Sequence, residues 1–108
     1  MVDVREYNDV AGRSPYAAWF NRLNAQAAAK ITTALTRLAL GNFSNVKGGG
    51  SGVFESKIDF GPGYRLYFGR DGERLVILLG GGMKKRQQKD IETAIARWLD
   101  YKERKLRR

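Results

Sequence analysis

Val53-Phe54-Glu55-Ser56-Lys57-Ile58-Asp59-Phe60-Gly61-Pro62-Gly63-Tyr64-Arg65-Leu66-Tyr67-Phe68-Gly69 is the stretch on which the fold turns. Its first half has a period of two: Phe54, Ser56, Ile58 and Phe60 face one way, and Val53, Glu55, Lys57 and Asp59 face the other. That alternation predicts a strand. Gly61-Pro62-Gly63 turns the chain, because glycine tolerates positive φ and proline presets the bend. Tyr64 to Gly69 predicts the returning strand, with Tyr64, Leu66 and Phe68 opposed to Arg65 and Tyr67. Asp71-Gly72 is a two-residue hairpin signal. It leads into Leu75-Val76-Ile77-Leu78-Leu79, apolar on both faces and so expected in the middle of the sheet, with Gly80-Gly81-Gly82 ending it.

Upstream, Lys47-Gly48-Gly49-Gly50-Ser51-Gly52 reads as a flexible connection. It is not a phosphate-binding loop, since no Gly-Lys-Ser/Thr follows it and no strand is expected to lead into it. Val2 to Tyr7 alternates weakly and reads as a first strand. Ser14-Pro15 is a helix start, with Ser14 as N-cap. Tyr16, Trp19, Phe20 and Leu23 then form one apolar stripe. Asn24 interrupts it, and a second helix runs from about Ala25 to Leu40 with Ala27, Ile31, Ala34, Leu35 and Leu38 inward and Gly41 closing it. Downstream, Lys84 to Lys89 leads into a last helix whose stripe is Ile91, Ala94, Ile95, Trp98 and Leu99. The segment from Tyr101 is charged and expected to fray. The order predicts an α+β domain over residues 1–101: an N-terminal strand, a helical hairpin, a three-stranded antiparallel meander and a C-terminal helix, followed by a basic tail at 102–108.

Composition narrows the chemistry. The 108 residues suit one modest core. Neither cysteine nor histidine occurs, which leaves no thiolate, no imidazole base and no Cys/His zinc site. No cofactor or metal is expected. Twenty Lys and Arg against eleven Asp and Glu give a formal +9, which favours a polyanionic partner. No apolar run approaches the ~20 residues of a membrane helix, and the N-terminus carries no secretory h-region, so a cytoplasmic protein without membrane association is expected.

If the apolar faces of the two hairpin strands share a core, Glu55 and Lys57 share the opposite surface with Arg65 and Tyr67, while Lys84, Lys85 and Arg86 enter at the sheet end. Such a surface is either an ordinary solvated sheet face or a patch able to cut RNA. Metal-free cleavage needs the 2′-OH deprotonated and in line, the pentacovalent phosphate neutralised and the leaving 5′-oxygen protonated. Glu55 is a candidate base or an orienting partner of Lys57, Lys57 a candidate proton shuttle, and Tyr67 a platform for a base. Arg65 offers a planar fork to phosphate oxygens. So few groups would gain from a substrate held by something larger, such as a ribosome.

Leu40-Gly41-Asn42-Phe43, Val46-Lys47, Gly52-Val53-Phe54-Glu55, Ile58 through Phe68, and the run from Gly81-Gly82 to Gln88-Lys89-Asp90-Ile91 resemble the RelE/ParE toxin superfamily, and most of all its HigB-type, phage Gp49-like "addiction module killer" branch. The likeness extends from about Val2 to Leu99. It implies the toxin of a type II toxin–antitoxin pair, an mRNA endoribonuclease acting in the ribosomal A site. It also implies a neutralising antitoxin from the adjacent gene, usually of helix-turn-helix type, through which alone operator DNA is bound. Residue by residue, Tyr64-Arg65 matches the motif after the turn and gives Arg65 the phosphate-stabilising role; Lys57 matches the basic residue late in the preceding strand. Lys84, Lys85 and Arg86 match the basic segment before the last helix, and with Tyr67 and Lys47 they are the candidate RNA contacts. The chain departs from RelE at Glu55, where RelE has a second lysine, and at Gln87 and Gln88, which occupy the region of its catalytic tyrosine. The alternatives are a ParE-like inhibitor of DNA gyrase that cuts no RNA, and a nucleic-acid-binding module without activity.

Overall fold

In the computed structural model, which describes residues 1–107, the Val53–Gly69 hairpin lies inside a larger sheet. The elements are β1 (Asp3–Glu6), α1 (Pro15–Phe20), α2 (Ala25–Ala39), β2 (Val46–Gly50), β3 (Val53–Ile58), β4 (Tyr64–Arg70), β5 (Leu75–Met83), a 3-10 turn (Lys84–Arg86) and α3 (Gln87–Leu106). The strand order is β1-β5-β4-β3-β2, with β1 parallel to β5 and the other pairs antiparallel. The α+β architecture is the expected one, and Leu75 to Leu79 lies between neighbouring strands as its two-sided apolarity required.

Local chemistry sets the helix ends. Ser14 Oγ accepts from the Ala17 N–H at 3.0 Å, Asn24 Oδ1 accepts from the Ala27 N–H at 2.9 Å, and Gly41 closes α2 at φ +82°. Tyr16 and Trp19 of α1 and Ala27, Ile31 and Leu38 of α2 pack on the face formed by Ile58, Tyr64, Leu66, Phe68, Val76 and Leu78. On the opposite face Ala94 and Trp98 of α3 pack against Tyr7, Val53, Tyr67, Ile77 and Leu79. The sheet is therefore covered on both sides.

Four expectations need correction. The glycine-rich connection after Val46 is strand β2, paired with β3 so that Lys47 lies opposite Glu55; a ladder on one edge suffices despite poor strand propensity. The triple glycine does not end β5, which continues to Met83 because Gly80, Gly81 and Gly82 pair with Tyr67, Leu66 and Arg65. Leu99 is 53% exposed; the inward stripe continues from Trp98 to Tyr101, whose ring stacks on Trp98 at 5.2 Å. The charged segment from Tyr101 is helical to Leu106 and not frayed, while Arg108 of the expected tail lies outside the described residues.

A side-chain tether explains that last helical stretch. Tyr101 Oη donates to Asp71 at 2.7 Å, and Lys105 Nζ reaches both Asp71 oxygens at 2.7 and 2.6 Å. These contacts, Lys105 first, hold the Asp71 carboxyl below its ordinary value of 3.8. A depressed folded-state value means the tether is fully present above that ordinary value and lost as pH falls through the folded one. We expect acid to fray residues 101–106 before the sheet opens. Amide exchange would register this, and Asp71→Asn should show the fraying already at neutral pH.

Candidate active site

The β3–β4 register sets Glu55 opposite Tyr67 and Lys57 opposite Arg65, so the four residues share one sheet surface as the alternation implied. That surface is not the open patch foreseen. The first half of α3 lies across it, leaving Glu55 1%, Arg65 4% and Tyr67 1% exposed. Lys57, at the strand end, keeps a 53% exposed side chain with Nζ 3.8 Å from Asp59 Oδ1. Lys84, Lys85 and Arg86 are exposed on the 3-10 turn that leads into α3.

A buried carboxylate persists only if it is hydrogen-bonded and its charge is met. Gln87 Nε2, at the first position of α3, donates to Glu55 Oε1 at 2.7 Å and to Oε2 at 2.9 Å. Lys47 Nζ from β2 lies 3.1 Å from Oε1. Gln87 thus stands on the carboxylate, a contact that the sequence reading noted only as the lack of a tyrosine. Lys47, expected as an RNA contact, is the ion-pair partner of Glu55. Gln87→Leu should cost about 1–3 kcal/mol of stability, because a buried carboxylate loses its neutral donor; urea denaturation would measure it, and an unchanged midpoint would count against this role.

Beside this cage two buried polar atoms have no hydrogen-bond partner among the described residues. Arg65 Nη1 donates to its neighbour's carbonyl, Tyr64 O, at 3.1 Å, while its Nε is buried and unpaired. The Tyr67 hydroxyl is also buried and unpaired. Burial, then the negative charges of Glu55 and Asp90, push that hydroxyl well above its ordinary range, with Arg65 opposing. Tyr67 is therefore protonated near neutral pH, and no open ring face is presented to a stacking base. Among the described residues no cluster of three or more acidic, Cys or His residues is arranged to hold a metal ion.

Glycines explain why α3 comes so close. A Cβ on Gly82 would fall 2.0 Å from Asp90 Oδ2, one on Gly80 2.7 Å from Arg97 Nη1, and one on Gly69 2.3 Å from the Trp98 ring. Asp90 and Arg97 were not singled out as site residues from the sequence. The spacing of Gly81-Gly82 from Asp90-Ile91 was the available signal, and its physical content is this clearance.

The family model "Phage derived protein Gp49-like" matches residues 18–99, which include α2, β2 to β5 and most of α3. The chain belongs to this family. Gp49-like proteins are addiction-module killers of the RelE-like toxin kind, so an antitoxin partner is implied in general. The chain is also similar to an uncharacterized protein of Haemophilus influenzae, 45% identical over 80 residues that cover 73% of this chain and 81% of the relative. The matched segment contains Glu55, Lys57, Arg65 and Gln87, and begins after β1 and the start of α1.

Proposed function

We propose that this Gp49-like toxin is a metal-independent mRNA endoribonuclease that acts on the ribosome and stops translation. The observation that carries the reading is the meeting of Glu55, Lys57 and Arg65 on one surface, with a carboxylate caged by Gln87 and Lys47 beside an arginine whose Nε is unpaired. Glu55 takes the proton from the 2′-OH, whose oxygen attacks the adjacent phosphorus. Arg65 meets the charge of the pentacovalent phosphate, where a planar fork is worth most in a water-poor site. The protonated Lys57 gives its proton to the 5′-oxygen as the P–O bond breaks, leaving a 2′,3′-cyclic phosphate and a free 5′-hydroxyl. Lys84, Lys85 and Arg86, open to solvent immediately before α3, hold neighbouring phosphates. Because Gln87 covers Glu55 and Arg65 is buried, this reading requires the first turn of α3 to move aside when the message binds.

A reconstituted translation system tests this, with message assayed for cuts in the presence and absence of ribosomes. Cuts bearing a 5′-hydroxyl that require ribosomes would support the reading. Intact message, together with inhibited DNA supercoiling in a parallel gyrase assay, would replace it with the ParE-like alternative.

A further inference from the structure

On the other side of α3 a cleft of about 380 Å³ opens between α1 and α3 at the β5 edge of the sheet. Its floor is Gly80-Gly81-Gly82, the part of β5 that runs on after β1 has stopped pairing at Glu6 and Leu78. No side chain rises from this floor. Arg22, just after α1, lines one wall, and Arg86, Asp90 and Arg97 line the other.

These charges face the cleft without satisfying one another. Among the described residues no ion pair or side-chain hydrogen bond involves Arg22, Arg86 or Asp90, and Arg97 commits one N–H to the Leu79 carbonyl at 2.9 Å. Burial raises the Asp90 carboxyl above its ordinary range, against the opposing pull of Arg86, Arg97 and Lys89. Asp90, half-buried on the wall, accepts no hydrogen bond from the described residues, and on the inner wall the Tyr67 hydroxyl is buried without a partner, which is unusual in a folded interior. A simple anion would answer the arginines but not Asp90. A cation would answer Asp90 but not the arginines. A ligand that answers both at once carries a pair of donors and several acceptors together.

We propose that this cleft binds a guanine nucleotide, with N1–H and the exocyclic amino group donating to Asp90 and with O6 and phosphate oxygens accepting from Arg97, Arg86 and Arg22. Of the four RNA bases, guanine alone presents two parallel N–H donors on its Watson–Crick edge, which fit the two oxygens of one carboxylate. Adenine and cytosine present one amino group beside a ring acceptor, and uracil one N–H between two carbonyls. The arginines suit O6 and phosphate for the same geometric reason. The cleft volume falls in the ordinary range for small-molecule sites. The inference goes beyond cleavage, since binding is read without turnover and is independent of whether Glu55 and Arg65 cut RNA.

The test is calorimetric titration of the purified chain with GMP, IMP, AMP and inorganic pyrophosphate. GMP should bind at least about tenfold more tightly than AMP, with IMP, which lacks the amino group, in between. Asp90→Asn should lose that preference and bind xanthosine monophosphate instead, because an amide complements the extra carbonyl; its thermal melt reports that the fold is kept. The trinucleotides UGU and UAU identify the source of the base. Tighter binding of UGU than of GMP assigns the cleft to RNA, and the reverse assigns it to free nucleotide. Equal affinity for GMP and AMP, displacement of GMP by pyrophosphate alone, or an unchanged preference in folded Asp90→Asn would overturn the proposal. So would an absence of binding to any of these ligands, as expected if the glycine edge instead receives a strand from a protein partner.

Discussion

Arg65→Ala is expected to lower ribosome-dependent mRNA cleavage by about a hundredfold to a thousandfold, the usual loss when one preorganised donor to a transition-state oxygen is removed. The magnitude follows from placement. Arg65 is 4% exposed, so its charge is little screened by water, and its Nε has no protein partner to give up when a phosphate oxygen arrives. Arg65→Lys keeps the charge but not the fork and should recover only a small part of the rate. Because the side chain is buried, both variants need a thermal melt beside the cleavage assay. A folded Arg65→Ala protein that still cuts message at the native rate would remove Arg65 from the site. Retained cleavage by Arg65→Lys would show that charge alone suffices.

The second large effect concerns stability. Gly69→Ala should destabilise the fold by about 1–3 kcal/mol, through overpacking. Gly69 lies in β4 directly beneath Trp98, where an added Cβ would fall 2.3 Å from Cε3 and 2.6 Å from Cδ2 of the indole. The ring cannot retreat easily, since Tyr101 stacks on its other side. Trp98→Leu alone leaves a void and is also costly, but in the Gly69→Ala/Trp98→Leu double variant the new methyl group enters space that the indole vacated. The paired change should therefore cost less than the sum of the two, a favourable coupling readable by urea denaturation. Strict additivity would mean that the two positions do not share the contact.

Much of this arrangement was legible because it depends on local rules. The alternation from Val53 to Phe68 with Gly61-Pro62-Gly63 defines both strand faces, and a fixed hairpin register brings Lys57 to Arg65 without further information. Ser14, Asn24 and Gly41 mark helix ends through bonds spanning only a few residues. What escaped depends on contacts distant in sequence. Whether the Glu55 surface is open or roofed turns on the path of α3, and alternation alone cannot tell a solvated charged face from one whose carboxylate is met by Gln87, 32 residues away. Gly48 to Gly50 and Gly80 to Gly82 were read as breaks because glycine has weak strand propensity. In the fold that same lack of a side chain leaves room for Trp19 over Gly81 and Asp90 over Gly82.

The parallel pairing of β1 with β5 also bears on how the molecule comes into being. Asp3 to Glu6 find their partners only at Leu75 to Leu78, so the first strand to be synthesised is among the last to dock. Closing so long a loop is slow compared with forming the β3–β4 hairpin. The proposed site waits longer still, because Gln87 and the helix that roofs Glu55 follow β5 in the chain. A nascent copy therefore cannot complete this sheet and its roof until β5 and α3 have both been synthesised, so the proposed site has no existence apart from the whole fold.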